Sequence, residues 1–268
     1  AGNEVVSMPI RGLEEDTADA RRLRIGQGHP SGTLCLGANK QCMSTCLVFT
    51  GNNAKSVLSL VPKQAAARSL VKHPYYFTRV LVEAIARFMS PEKKDPRFSH
   101  FQRYVRLNVI SDVPWELVAP WIFDRFPGTP YGQDRALQGF YDYTKIVGRQ
   151  TPRNYDLTFS FSGTNYSRAA WELDRGRRVA VVFFFPEVQR EFGKVLTQSD
   201  LRKQTLVRGR ERMYRNATWL GRPVIDGDAD DVRPRDPGGV WVGLTWKPAK
   251  GWAGKTPDLF VLYAVKID

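Results

Sequence analysis

Long apolar runs, cysteine and histidine are all scarce in this sequence. The longest uninterrupted apolar run is Val179 to Phe185. A bilayer span needs ~20 apolar residues, so we expect a soluble protein. The first ten residues show no basic stretch followed by an apolar one, so no signal peptide is predicted. Three cysteines are too few, and odd in number, for a disulfide framework, which favours a reducing cytoplasm.

Several catalytic motifs are also missing. We find no phosphate-binding P-loop, no G-x-S-x-G nucleophile elbow and no H-E-x-x-H zinc motif. The stretch Gly26-Gln-Gly28 is too short and too poorly placed for a dinucleotide fingerprint. Hydrolase and NTPase functions therefore gain no support from the sequence.

Positive charge, in contrast, is abundant. The 268 residues include 40 Lys and Arg against 27 Asp and Glu, a net charge of +13. Residues 187–222 hold nine basic and four acidic residues, with Tyr214 and Trp219 among them. Basic side chains interleaved with aromatic rings are typical of surfaces that bind nucleotides or nucleic acids. A solvated helix face explains the same pattern equally well. The basic residues at the centre of this segment are Arg202, Lys203, Arg208, Arg210, Arg212 and Arg215.

The order of helical and strand-like segments predicts an α/β fold. Pro74 opens an amphipathic helix over Tyr75 to Met89, and a second helix is predicted from Tyr166 to Asp174, ended by Gly176. The segment from Trp115 to Phe126 is predicted helical with a break or kink at Pro120. Strands are predicted at 104–111, 139–144, 155–161, 179–185, 224–226, 240–246 and 259–265, with one more near 57–61.

Alternating strands and helices favour right-handed βαβ units and a parallel sheet. Because the strand count approaches eight, we expect a complete or degraded (β/α)₈ TIM-like barrel, with an open doubly wound sheet as the alternative. The barrel domain would cover residues 25–268, with an N-terminal arm at 1–24 and a basic insertion at about 187–222.

All three cysteines lie within one stretch of twelve residues. Cys35, Cys42 and Cys46 follow the spacing C-x6-C-x3-C. Thiolates are soft ligands that select zinc or iron–sulfur clusters, and three of them can hold a [4Fe–4S] cluster with one iron left open. His29 could instead complete a Cys₃His zinc site or supply the fourth cluster ligand. Three buried small side chains, or one adventitious disulfide, are the alternative to any metal.

Polar residues recur where predicted strands end. In a barrel, the active site forms at the carboxyl ends of the strands. Polar side chains pointing into a barrel mouth are costly unless they bond to each other or to a ligand. Ordinary capping and salt bridging at helix starts is the alternative. The candidate catalytic residues are Asn108, Asp112, Lys145, Ser160 and Lys247.

The run from Asp226 to Asp231 resembles the start of a calcium loop. Position 12 of such a loop, which should be Glu, is Pro237. We therefore predict a turn held by salt bridges to Arg233 and Arg235.

Several segments resemble a family of actinobacterial phage proteins of unassigned function. They are Leu34 to Phe49, VRLNVISDVPWE (Val105 to Glu116), YDYTK (Tyr141 to Lys145), NYDLTFSFSGTNY (Asn154 to Tyr166) and VIDGDADDVRPRDPGGVWVGLTWK (Val224 to Lys247). That family is in turn similar to radical-SAM-like phage proteins, which place three cysteines after the first strand of a barrel. The resemblance thus implies a cluster on a barrel, in the cytoplasm of an infected bacterium.

The cysteine spacing departs from the common radical-SAM pattern. That pattern is C-x3-C-x2-C with an aromatic residue before the last cysteine, whereas Thr45 precedes Cys46 here. No Gly-Gly-Glu-Pro-like stretch for the methionine part of SAM is visible. The resemblance therefore supports a cluster and a barrel more than it supports SAM binding.

Two functions follow from these observations. The first is a [4Fe–4S] enzyme whose open iron binds SAM or a substrate, with a nucleotide or nucleic acid suggested by the charge. The second is a nucleic-acid-binding protein without catalysis, in which the thiols hold structural zinc or a structural cluster. A phage effector that binds a host protein is a third, untested by any sequence feature.

Overall fold

The computed structural model describes the chain in eight segments. They comprise residues 34–38, 57–89, 103–108, 111–128, 137–184, 214, 216–245 and 261–263. Predictions outside these segments concern the N-terminal arm 1–24, His29, Cys42, Cys46, Lys247 and most of the basic stretch 187–222.

Helices occupy five places in the described residues, together with one short 3₁₀ turn. They are α1 (Val57–Lys72), α2 (Pro74–Met89), α3 (Trp115–Val118), α4 (Trp121–Arg125), α5 (Tyr166–Asp174) and the 3₁₀ turn Arg233–Arg235. None of the helices in these segments is long and apolar enough to cross a membrane.

Seven strands of the described residues correspond to predicted ones, and a further strand at 218–219 was not predicted. In chain order, these strands are β1 (Arg103–Val105), β2 (Leu137–Thr144), β3 (Tyr155–Ser160), β4 (Val179–Phe184), β5 (Thr218–Trp219), β6 (Arg222–Asp226), β7 (Trp241–Thr245) and β8 (Val261–Tyr263).

Local chemistry accounts for the helix boundaries. Pro74 opens α2, where its missing N–H and restricted φ cost nothing. Pro120 separates α3 from α4, as the break predicted there requires. Helix α5 ends before Gly176, which adopts φ +75° and donates its N–H to the carbonyl of Leu173. All three boundaries confirm the sequence-based prediction.

One predicted strand is wrong. Residues 57–61 begin helix α1 rather than forming a strand. The run Val57-Leu-Ser-Leu-Val61 has strand-like alternation, and Pro62 follows it, ahead of an Ala-rich stretch of high helix propensity. Helix α1 nevertheless begins at Val57 and continues through Pro62, although an interior proline disfavours a helix.

The strands form one largely parallel sheet. Its order is β1-β2-β3-β4-β7-β6-β5, and β8 also pairs with β4. Strand β4 runs parallel to β3, β7 and β8, with β3 beside its first half and β8 beside its second. Only the β5–β6 hairpin pairs antiparallel among the pairings with an assigned register. The α/β class with parallel strands is thereby confirmed.

The described strands do not close into a barrel. The sheet begins at β1 and ends at the β5–β6 hairpin, and these two ends are not paired. A physical reason lies between β2 and β3, where the connection 145–154 contains turns and no helix. A (β/α)₈ barrel needs a helical crossover after every strand, and a parallel crossover takes a dozen or more residues.

The chain divides into two compact units. The first contains Ala1–Gly37, Val61–Asp142 and Arg149–Leu157, and the second contains Ala38–Leu60, Tyr143–Gly148 and Thr158–Asp268. Each unit has an apolar core. Buried residues of the first core include Ile85, Trp115, Ile122, Phe123, Phe140, Tyr155 and Leu157. Those of the second include Phe159, Leu173, Val179, Val181, Phe183, Tyr214 and Trp241.

Candidate active site

A buried polar network lies where β1 and β2 approach their carboxyl ends in the first unit. β1 and β2 pair in parallel, so the residues after β1 and those late in β2 lie at the same edge. Because buried polar groups are costly without partners, a group this dense is either a structural network or a site. Its members are Asn108, Asp112, Glu116, Asp142, Arg149 and Tyr155, and we call this set the buried polar network.

Asn108 holds the turn that follows β1. Its Oδ1 accepts hydrogen bonds from the Val113 amide at 3.1 Å, the Trp115 indole at 3.2 Å and the Ser111 hydroxyl at 2.8 Å. Its Nδ2 donates to the carbonyl of Val113 at 2.9 Å. An amide carries both donors and acceptors, so Asn108 satisfies several groups of this turn at once. Its role here is to position the loop.

Asp142 is the most buried carboxyl group of the network. Its Oδ1 accepts the backbone N–H of Asn108 at 2.7 Å, and its Oδ2 accepts the Tyr155 hydroxyl at 2.8 Å. Burial raises the pKa of Asp142 from 3.8 to about 7, although the Asn108 and Tyr155 hydrogen bonds and the Arg106 and Arg149 charges oppose this. Burial and the nearby Asp142 charge raise the pKa of Tyr155 well above its ordinary value. Asp142 can thus exchange a proton near neutral pH, whereas Tyr155 stays protonated.

Arg149 joins the two carboxylates that follow β1. Its Nε donates to Glu116 Oε1 at 2.8 Å and its Nη2 to Glu116 Oε2 at 2.5 Å, a bidentate pair. Its Nη1 donates to Asp112 Oδ1 at 3.2 Å, and its guanidinium lies 5.7 Å from the centre of the Tyr155 ring. Burial alone would lower the pKa of Arg149, but the Glu116 hydrogen bonds and the surrounding charges raise it above its ordinary value.

Cys35 lies directly beside this network. It forms a parallel backbone bridge with Asp112, and the Asp112 amide donates to the carbonyl of Leu34 at 3.0 Å. The Cys35 side chain is partly exposed. The first cysteine of the predicted cluster motif therefore lies next to a predicted catalytic residue.

The five predicted catalytic residues are distributed between the two units. Asn108 and Asp112 come together in the first unit, and Lys145 and Ser160 belong to the second. Lys145 is partly buried after β2, and Ser160 ends β3, where its carbonyl accepts the Asn165 side-chain amide at 3.1 Å. Lys247 lies outside the described residues. The structure thus supports a shared location for the first pair only.

Four members of the buried polar network were not among the predicted catalytic residues. The sequence does carry a signal for Asp142, since a carboxyl inside the aromatic strand GFYDYT must be paired if it is buried. Glu116 and Arg149 lie in a short helix and a loop, and their pairing spans 33 residues of sequence. Tyr155 begins a predicted strand, and nothing in the sequence distinguishes it from other aromatic strand residues. Sequence periodicity carries no information about contacts of this kind.

The acidic run from Asp226 to Asp231 forms the predicted turn. Arg235 pairs with Asp230 at 3.3 Å as predicted, whereas Arg233 pairs with Asp236, outside the run, at 2.9 Å, and contacts the run by donating to the carbonyl of Gly227 at 3.2 Å. Asp228 Oδ2 accepts the backbone N–H of Thr245 at 2.7 Å. These carboxylates serve turn and strand-end contacts, in agreement with a salt-bridged turn.

The described segments contain no group of three or more His, Cys, Asp or Glu side chains arranged to hold a metal ion. Two of the three predicted thiol ligands, Cys42 and Cys46, lie outside those segments, as does His29. The cluster therefore stays a prediction, for which Cys35 supplies the one described ligand.

Comparison with known proteins identifies a family for this chain. No curated protein and no solved structure matches the chain. The sequence model of the family described as Gene product 88 matches residues 11–256, which is nearly the whole chain. This is consistent with the expected phage protein of unassigned function, and the similarity to radical-SAM proteins stays a prediction. The chain belongs to the Gene product 88 family.

Proposed function

We propose that this protein is an iron–sulfur enzyme in which Cys35, Cys42 and Cys46 hold a [4Fe–4S] cluster. The observation that carries the proposal is the backbone bridge between Cys35 and Asp112, next to the buried polar network. Parallel sheets bind their ligands at the carboxyl ends of the strands, and this bridge lies just after β1.

The described part of the donor set fits such a cluster. Cys35 is partly exposed and lies directly before a turn, so its side chain can reach a group outside the sheet. Three thiolates leave one iron of a cubane open, and when bound such a cluster supplies electron transfer and an open iron for SAM or for a substrate atom.

The protein's own side chains would orient a substrate and manage protons. Arg149 holds the carboxylate of Asp112 in place on the cysteine side of the network. Glu116 accepts two hydrogen bonds from Arg149 and so fixes the position of its guanidinium. Asp142, with its pKa near 7, would accept or release a proton at neutral pH.

Lys145, Ser160 and Lys247 remain candidate catalytic residues under this proposal. The lysines would bind phosphate or carboxylate groups of the substrate. The net charge of +13 favours a nucleotide or nucleic acid as that substrate.

Anaerobic purification with iron and sulfide counting tests the proposal. Wild-type protein should hold about four irons and four sulfides per chain and give a cluster EPR signal on reduction, which SAM perturbs if SAM binds the open iron. The variants Cys35→Ser, Cys42→Ser and Cys46→Ser should each lose most of the iron. The variant Thr45→Ser changes the same loop without removing a thiol, and should keep it.

The alternative of a structural zinc site makes a different prediction. Protein that holds one zinc and no iron after anaerobic expression in iron-rich medium would overturn the proposal and favour the nucleic-acid-binding alternative. If iron is present, but all three serine variants retain it, these cysteines are not the ligands.

A further inference from the structure

Helix α2 turns an aromatic and basic face to solvent. Tyr75 and Tyr76 are 73% and 66% exposed. On the opposite side of the same helix, Thr78 and Ile85 are buried. The helix is therefore anchored through one face while its tyrosines remain accessible in the structure.

Cationic groups accompany these rings. The guanidinium of Arg79 lies 5.9 Å from the centre of the Tyr75 ring, one helical turn away. Arg87 is exposed on the same side of α2, and Lys72 is exposed at the end of α1. Glu83, the acidic residue among the described positions of α2, lies four residues from both Arg79 and Arg87, on this same side of the helix. Positive charge thus outweighs negative charge around the tyrosines.

At the other end of α2 a second ring pairs with an arginine. Phe88 is 51% exposed, and the Arg103 guanidinium lies 5.3 Å from its ring centre. Phe88 follows Tyr75 by 13 residues, so at about 3.6 residues per turn it lies on a different side of the helix from the tyrosines and is not part of their face.

We propose that this face of α2, made by Tyr75, Tyr76, Arg79 and Arg87, binds single-stranded nucleic acid. Exposed rings stack on unpaired bases, and neighbouring cations contact the phosphates. A duplex presents no base faces for stacking, so the tyrosines select the single strand. A lipid surface would instead require an apolar face, and Val80 is the one large aliphatic residue among the strongly exposed positions of α2.

This inference goes beyond the proposed cluster and does not depend on it. It also differs from the sequence-based expectation that residues 187–222 contact nucleic acid, because α2 lies outside that segment. The charge complementarity between a chain of +13 and a polyanion supports it independently.

Fluorescence anisotropy on the full-length protein tests the proposal. The probe is a labelled oligothymidylate of about 20 nucleotides, titrated at several salt concentrations. Wild type should bind it more tightly than a duplex of equal length. The double variant Tyr75→Ala/Tyr76→Ala should weaken binding about tenfold or more, whereas Tyr75→Phe/Tyr76→Phe, which keeps both rings, should bind like wild type.

Matched controls separate stacking from charge and from folding. Tyr166→Ala removes another exposed tyrosine, on α5, and should leave binding unchanged. Arg79→Ala/Arg87→Ala should lower both the affinity and the slope of affinity against salt. All variants change exposed side chains, so their circular dichroism and melting temperatures should match wild type.

Three outcomes would overturn the proposal. They are unchanged affinity in the double alanine variant, equal binding of duplex and single strand, and binding of anionic phospholipid vesicles in place of the oligonucleotide. Loss of the iron site would leave the binding result unaffected, so the two proposals fail separately.

Discussion

Arg149 is a buried cation that depends on two carboxylates. Its side chain is 3% exposed and that of Glu116 is 6% exposed, so neither charge is solvated by water. Removing one partner of such a pair leaves the other charge buried and uncompensated. The ion pair therefore makes the turn after β1 sensitive to a single substitution.

We expect Arg149→Ala to lower the free energy of unfolding by about 3–5 kcal/mol, because Glu116 and Asp112 would lose their shared cation. Urea denaturation followed by circular dichroism measures this. Arg235→Ala breaks the solvent-exposed pair with Asp230 and should cost no more than about 1 kcal/mol. Equal effects of the two substitutions would show that the buried pair contributes no more than a surface one.

Asp142 makes stability depend on pH in an unusual direction for a carboxyl group. Its pKa in the folded protein is about 7, above the ordinary value of 3.8, so the folded state holds the proton more tightly than the unfolded state. The stabilisation is complete below 3.8 and is lost as the pH rises through about 7. The groups that face Asp142 are Arg106, Arg149, Tyr155 and Asn108.

The variant Asp142→Asn should therefore flatten the dependence of stability on pH in this range, because an amide cannot ionise. Melting temperatures from about pH 4 to about pH 8 measure the effect, and the wild-type value should fall relative to the variant as the pH rises. Parallel curves for the two proteins would show that Asp142 keeps an ordinary pKa.

Part of the buried polar network can be predicted from the sequence, and the remaining members cannot. Asn108 and Asp112 were predictable, because polar residues after a strand have few roles other than turns and sites. Glu116 and Arg149 were not, because their pairing depends on how the chain folds back across 33 residues. A long-range ion pair leaves no periodic trace in one sequence.

Strand β7 packs closely against a buried tyrosine at a position occupied by glycine. Gly243 lies in the middle of β7, and a β-carbon there would collide with the ring of Tyr214, at 2.9 Å from its Cζ. Tyr214 is buried in the core of the second unit, so its ring has little room to move. Glycine is thus required here for close approach rather than for backbone conformation.

We expect Gly243→Ala to lower the free energy of unfolding by about 1–3 kcal/mol through overpacking. In a Tyr214→Ala background the same substitution should cost much less, since the obstructing ring is gone. A double-mutant cycle in urea measures the coupling. Additive effects would show that Tyr214 does not restrict the size of residue 243.

The length of β1 illustrates why element boundaries resist prediction. The sequence favours a strand over 104–111, but β1 ends at Val105. Asn108 donates its backbone N–H to the Asp142 side chain instead of a strand carbonyl. A side chain on a neighbouring strand therefore ends the ladder, whereas α5 matched its prediction because its signals are all local.

At the scale of the whole molecule, the α/β class was predictable from the sequence, but whether the sheet closes into a barrel was not. Alternating apolar strands and helices are compatible with a barrel and with an open sheet. What separates them is which strands pair, and β4 pairs with β7 and β8, some 60 to 80 residues downstream. The sequence did carry one signal against a barrel. The connection 145–154 has ten residues, which are too few for a helical crossover.

The backbone bridge at Cys35 also acts as a tether. It holds the first residue of the C-x6-C-x3-C stretch against the sheet. Every residue ordered before binding spares about 1–2 kcal/mol of conformational entropy at the moment of capture. If the three cysteines share a cluster, as proposed above, capture by Cys35 would raise the effective concentration of the other two thiols, and assembly would continue as an intramolecular reaction beside Asp112.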